Sequence, residues 1–177
     1  MSRVGHEILV TIAASSCIAL LAQLSIPIGP IPVTGQTLGV LAVAWALGRV
    51  RAVNAVALYL AKGVSGLPVF AGGSAGAAVL LGPTGGYLLG FLLAALVVGL
   101  ISDWARAHKS EMSGLTAWCA FAAGTISVYI PGMLLLSRFV RGQVVQLGLL
   151  PFLPGDTLKL FILVALLPVL NRRPNRR

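Results

Sequence analysis

"PFLPGDTLKLFILVALLPVL", residues 151–170, is an unbroken run in which only Asp156, Thr157 and Lys159 are polar. A helix of about 20 apolar residues is what it takes to cross the ~30 Å hydrocarbon core of a bilayer. An ionisable group at the centre of such a span costs about 2.5–3.5 kcal/mol on insertion scales, so it faces the protein interior and marks a site by default. Asp156 and Lys159 are at i and i+3 and share one helix face. The Pro-Gly before Asp156 reads as a helix start, where the dipole also favours a carboxylate. Counted from Leu150 at helical rise, Asp156 lies about 9 Å and Lys159 about 14 Å below the edge of the run. The two charges either neutralise each other or offer an acceptor and a cation to one polar ligand.

The remainder of the chain has the same character. Of its 177 residues, 58% are hydrophobic and 10% charged, with a mean hydropathy of +0.96. A soluble domain carries about 25% charged residues to cover its surface. The apolar runs continue to the C-terminal end, which a cleavable signal peptide does not account for. The chain reads as a multi-pass protein of the cell membrane, with the lipid bilayer as its solvent.

A formal charge of +9 raises nucleic acid as a partner. That class is excluded by arrangement: the basic residues do not alternate with aromatics, as a stacking groove needs. They punctuate the apolar spans instead. Cys17 and Cys119 lie inside apolar spans and read as small buried hydrophobes without metal-ligand spacing. His6 and His108 lie in polar end segments and read as solvated.

Apolar runs predict an all-α integral membrane protein, a single domain over 1–177 with six transmembrane helices at about 8–25, 34–47, 52–66, 84–104, 115–137 and 154–170. Three prolines in "IPIGPIPV" end the first helix. The second and third are short, about 21–23 Å at helical rise, so neighbouring protein or thinned lipid must cover the difference. Six crossings with the N-terminus inside put Arg3, Arg49, Arg51, Arg106, Lys109, Arg172, Arg173, Arg176 and Arg177 in inner segments. Only Arg138 and Arg141 fall outside, which predicts both termini in the cytoplasm.

The glycine-rich stretch "SGLPVFAGGSAGAAVLLGPTGG" (65–86) has neither a G-x-x-x-x-G-K-[ST] nor a G-x-G-x-x-G order, so it is no phosphate loop. Irregular backbone at membrane depth is tolerated where protein or a water-filled cavity covers it, and this connector therefore reads as a lid or pocket wall. Gly82, Gly86 and Gly90 form a small-xxx-small ladder for close helix approach. Tyr87 either stacks on a ligand or is an interfacial aromatic. Gln36, at a helix start, either meets a ligand or caps its own helix. Lys62 either snorkels to the outer interface or supplies a second cation for an anionic ligand. In the first helix, Ala13 with Cys17 and Ser15 with Ala19 make small-xxx-small pairs, a docking strip for a helix of this protein or of a partner.

No cluster of His, Asp, Glu or Cys has metal-ligand spacing, and no Ser or Cys has a His and an acid to activate it. Glu7, Asp103 and Glu111 fall at inner ends, away from any candidate nucleophile. The chain is therefore no enzyme and needs no cofactor of its own. Any ATP-driven work would fall to another subunit.

Four blocks, "PIPVTGQTLGV" (30–40), "GLPVFAGG" (66–73), "LLGPTGGYLLGF" (80–91) and "PFLPGDTLK" (151–159), together resemble the BioY family, the biotin-specific substrate-binding (S) components of energy-coupling factor transporters. The resemblance runs in order from about residue 26 to 160. It implies the six-helix S-component fold, a biotin site near the outer face, and assembly with a transmembrane coupling subunit and two ATPases; some members are held to act without them. It further implies that Asp156 accepts from the ureido N–H groups of biotin. Lys159 then meets the carboxylate or the ureido carbonyl, Tyr87 covers the bicyclic ring, and Gly72, Gly73 and Ser74 form the polar wall of the outer loop. Lys62 and the Cys17 and Ser15 positions depart from the family pattern. A self-sufficient facilitator is the nearest alternative, with a small membrane enzyme or a structural membrane subunit further off.

Overall fold

The computed structural model describes residues 3–108 and 114–171. Lys109, Arg172, Arg173, Arg176 and Arg177, which enter the charge argument above, and Glu111, placed there at an inner end, lie outside the described residues.

The first helix, α1 (Arg3–Ala22), starts earlier and stops earlier than the apolar run suggests. Its polar first turns are stabilised from α3, where Arg51 makes a two-pronged ion pair with Glu7. After α1 the proline-rich segment does not simply end a helix. It folds back as an antiparallel ribbon, β1 (Ser25–Ile26) against β2 (Val33–Thr34), with Ser25 opposite Thr34. This is the one non-helical ladder among the described residues, and the all-α expectation did not contain it.

Helix α2 (Gln36–Leu47) and helix α3 (Arg49–Val64) are separated by Gly48 alone. Gly48 has φ 78°, a left-handed conformation that glycine adopts without the Cβ penalty. The carboxylate of Asp103 occupies the space a side chain there would need, and accepts from the Arg49 backbone N–H at 3.1 Å. An anion at that point caps the start of α3 and complements its dipole.

The glycine-rich connector forms a 3-10 turn, Ala71–Gly73, and the short helix α4 (Ala77–Leu81). The long helices α5 (Gly85–Ala107) and α6 (Gly114–Leu136) follow and pack along each other. Gly86 and Gly90 of α5 let the α6 backbone approach: a Cβ on Gly90 would stand 2.8 Å from the Val128 Cα, and one on Gly86 would overlap the Pro131 carbonyl. Such bare positions set helix spacing where lipid supplies no hydrophobic drive. Gly82, the third member of the ladder, lies before α5, and a Cβ there would meet only the carbonyl oxygens of Ala78 and Val79, at 3.3 and 3.6 Å.

The chain ends with the short helix α7 (Val144–Gly148), α8 (Leu153–Ala165) and α9 (Leu167–Leu170). The core between the helices holds Ile18, Trp45, Tyr59, Val98, Phe121 and Leu163. Outside, large apolar residues are bare, among them Leu89, Leu93, Leu96 and Leu100 along one face of α5. Cys17 and Cys119 belong to this exterior and are exposed, contrary to the buried placement expected of them. In a membrane the outside is as apolar as the inside, so hydrophobicity alone does not say which way a small residue turns.

Among the described residues, four helical stretches are long and apolar enough to cross a membrane: Arg3–Ala22, Gly85–Ala107, Gly114–Leu136 and Val144–Ala165. The twelve residues of α2 and the sixteen of α3 are shorter than that.

Candidate functional site

One cavity lies at the end of the bundle where α2, α5 and α8 begin and α6 finishes. It holds about 770 Å³ of empty space, its open mouth included. Small-molecule sites are mostly apolar with a few convergent polar groups. That is the composition here. Ile31, Phe70, Val79, Leu88, Phe91, Val128 and Phe152 supply apolar wall, while Thr34, Gln36, Thr37, Ser74, Thr84, Thr125, Tyr129, Asp156 and Lys159 supply polar groups.

Asp156 sits in the first turn of α8, whose second residue is Pro154. Its backbone N–H donates to the Phe152 carbonyl at 2.8 Å, which fixes the turn. Lys159 Nζ donates to Asp156 Oδ1 at 2.7 Å, and the two side chains are only 13% and 11% exposed. The other carboxylate oxygen, Oδ2, accepts from the hydroxyl of Tyr129 on α6. Both oxygens are thus held, by separate helices. Each carboxylate oxygen has a further lone pair, and an ammonium has three N–H bonds, so the pair still has acceptor and donor capacity to offer the cavity.

Gln36, also on the cavity wall, is buried and tightly held. Its Oε1 accepts from the Thr34 hydroxyl at 2.8 Å and its Nε2 donates to Tyr59. Tyr87 lines the wall with its ring, while its hydroxyl donates to the Gly148 carbonyl at 2.8 Å. Ser74 reaches the cavity, and its hydroxyl also donates to the Ala71 carbonyl at 2.9 Å.

The other expected site residues lie elsewhere. Gly72 borders a separate shallow depression on the loop side, with Gln23, Ser25 and Gly29, and Gly73 borders neither. Both have left-handed φ, 61° and 77°, so their place in the turn is a backbone requirement. Lys62 is absent from the cavity wall and does not snorkel outward. Its ammonium turns to α1 and donates to Ser15 at 2.8 Å and Ser16 at 3.4 Å. The strip on α1 divides accordingly: Ser15 is buried and engaged with α3, whereas Ala13 and Cys17 stay exposed and Ala19 half-buried.

Tyr129 and Phe152, with the wall threonines Thr34, Thr37, Thr84 and Thr125, are site residues that sequence reasoning missed. Tyr129, Tyr87 and Phe152 contact one another, with ring centroids 6.1–6.5 Å apart. The available signal was Thr125 and Tyr129, one turn apart in a largely apolar span and just before Pro131.

An apolar exterior around a partly charged cavity is that of a membrane-embedded protein with room for a small solute, and no cluster of His, Cys, Asp or Glu able to hold a metal ion accompanies it among the described residues. The particular kind follows from comparison. The model of the BioY family matches residues 2–176, and the chain belongs to that family. It is 40% identical over 145 residues to the biotin transporter BioY of Thermotoga maritima, covering 80% of this chain and 81% of that one. It is 33% identical over 166 residues to the biotin transporter BioY of Rhodobacter capsulatus, covering 87% and 86%. The fold superposes on the crystal structure of the S-component for biotin from an ECF-type ABC transporter with a TM-score of 0.86 and 27% identity, over 98% of this chain and 95% of that one. These relatives are transporters, and the chain is a multi-pass membrane transport protein rather than an enzyme.

Proposed function

We propose that the chain captures biotin at the outer face of the cytoplasmic membrane and serves as the substrate-specific subunit of an energy-coupling factor transporter. The observation that carries this reading is the held Asp156–Lys159 pair on the wall of the cavity. Biotin offers two ureido N–H donors beside a carbonyl, an apolar thioether ring and a carboxylate. Asp156 accepts from the ureido N–H groups, Lys159 donates to the carboxylate or the ureido carbonyl, and Tyr87, with Phe152 stacked beside it, covers the apolar ring system. Gln36 and Ser74 add polar contacts from other elements of the wall.

The chain crosses the bilayer six times in this reading, with α7 and α8 forming the last span and both termini in the cytoplasm. Arg138 and Arg141 stand at the cavity end, while Arg3, Arg49, Arg51 and Arg106 stand at the other, a charge asymmetry that supports it. The chain has no nucleotide-binding motif, so ATP is used by two partner ATPases, joined through a transmembrane coupling subunit that docks on the exposed Ala13–Cys17 side of α1.

The test is biotin binding to the purified protein in detergent, beside Asp156→Asn and Lys159→Ala. Removing one partner of a buried charged contact costs about 2–5 kcal/mol, a loss of roughly thirtyfold or more. Tight binding weakened by both substitutions is expected. A folded protein without affinity for biotin would overturn the proposal.

A further inference from the structure

We infer that Tyr129 is a positioning residue for biotin capture: it fixes the Asp156 carboxylate from a second helix and leaves Lys159 able to turn its donors to the ligand. The inference rests on the biotin reading above and deepens it. A carboxylate on the wall of a cavity rotates about its Cα–Cβ and Cβ–Cγ bonds unless something holds it. Lys159 alone is a poor anchor, because it sits on the same helix one turn on, at the end of a flexible four-carbon chain. It is also a cation that an anionic or carbonyl-bearing ligand competes for. Tyr129 has neither weakness.

The phenol comes from α6, is uncharged, and donates to Asp156 Oδ2, the oxygen that Lys159 does not hold. Its ring stands nearly edge-on to Tyr87, at 86° and 6.4 Å, and edge-on to Phe152, at 65° and 6.5 Å. Those two neighbours are fixed in turn. Tyr87 donates to the Gly148 carbonyl and lies against the bare Cα of Gly132, and Phe152 precedes the first turn of α8. The direction of the Tyr129 hydroxyl is therefore set by packing before any ligand arrives. A group held in its bound geometry spares the ligand the cost of ordering it.

When Lys159 shifts toward a ligand, Oδ2 keeps its donor and the carboxylate keeps its plane, with free lone pairs aimed at the N–H edge. Without the phenol, Lys159 would have to hold Asp156 and meet the ligand at once.

The experiment is a double-mutant cycle in biotin affinity over the wild type, Tyr129→Phe, Asp156→Asn and the double variant, with the thermal midpoint of each ligand-free protein. Tyr129→Phe keeps the ring and its aromatic contacts. The expected result is a loss of about ten- to a hundredfold for Tyr129→Phe, the range for a hydrogen bond to a charged group, and no comparable further loss when it is added to Asp156→Asn. Tyr87→Phe serves as the matched variant. It also removes a phenol bond from the ring cluster but has no contact with Asp156, so its effect multiplies with that of Asp156→Asn. Should Tyr129→Phe be too unstable to assay, 3-fluorotyrosine at position 129, a stronger donor of the same shape, is expected to bind biotin at least as tightly as wild type. Wild-type affinity in Tyr129→Phe, losses that multiply in the double variant, or weakened binding by the fluorinated protein would overturn the inference while leaving the biotin reading intact. Absence of biotin binding by the wild type would remove that reading and this inference with it.

Discussion

The side-chain amide of Gln36, on the cavity wall, donates to the phenol oxygen of Tyr59, which is fully buried behind it on α3. The ring of Tyr59 also meets Phe70 edge-on at 5.6 Å and 81°, and Phe70 is the wall residue from which the outer loop departs. One buried phenol thus supports both an amide of the site and the root of its loop. Tyr59→Phe keeps the ring against Phe70 but strands a buried N–H of Gln36, a cost of about 1–3 kcal/mol. A lower thermal midpoint in detergent together with weaker biotin binding is expected; wild-type values for both would show that the bond is immaterial.

Lys62 joins α3 to α1 and does not face the cavity. Ser15→Ala takes away the nearer acceptor of an ammonium within the bundle and should destabilise the protein by about 1–3 kcal/mol. Lys62→Met removes the charge itself and should be the milder change, with biotin affinity unaltered. Loss of affinity in Lys62→Met at full stability would restore it as a ligand cation.

Gly86 and Gly82 look equivalent in the sequence but not in the fold. A methyl at Gly86 runs into the Pro131 carbonyl, whereas one at Gly82 meets its nearest neighbour at 3.3 Å. Overpacking costs about 1–3 kcal/mol, so Gly86→Ala should lower the thermal midpoint well beyond Gly82→Ala. Equal effects would contradict the α5–α6 packing described here.

How far this was legible in advance depended on whether a feature was local. The polar break before residue 114 and the Pro-Gly before Asp156 are one-dimensional marks, and helices begin beside both. The first turns of α1 carry Arg3 and Glu7 and look like a polar tail, because their stabilising partner Arg51 lies 44 residues away. The ribbon was illegible for a similar reason: two pairs of residues make too short a pattern to alternate visibly. Asp156 and Lys159 stood out as charges in an apolar run, whereas Tyr129 did not, since a tyrosine in a membrane span costs little. Only tertiary packing brings its hydroxyl to the carboxylate. The orientation of Ser15 inward and Cys17 outward likewise depends on where α3 lies.

Topology is open to labelling. In a protein whose Cys17 and Cys119 are replaced, a membrane-impermeant maleimide applied to whole cells should modify Arg141→Cys. It should reach Val50→Cys, exposed in the first turn of α3, only after lysis. Labelling of both from outside would rule out six spans with cytoplasmic termini.

Energy coupling separates the two transport readings. Biotin uptake through this chain should fail in cells lacking the coupling subunit and ATPases and return when they are supplied. Uptake at full rate without them would make the protein a self-sufficient facilitator.

The most direct measurement is an experimental structure of the protein with biotin. The ligand is expected inside the cavity between α2, α5, α6 and α8, its ureido N–H groups within hydrogen-bond distance, about 2.7–3.2 Å, of Asp156, and Lys159 donating to the same molecule. Biotin bound at another surface, or lying in the cavity with neither residue in contact, would contradict it.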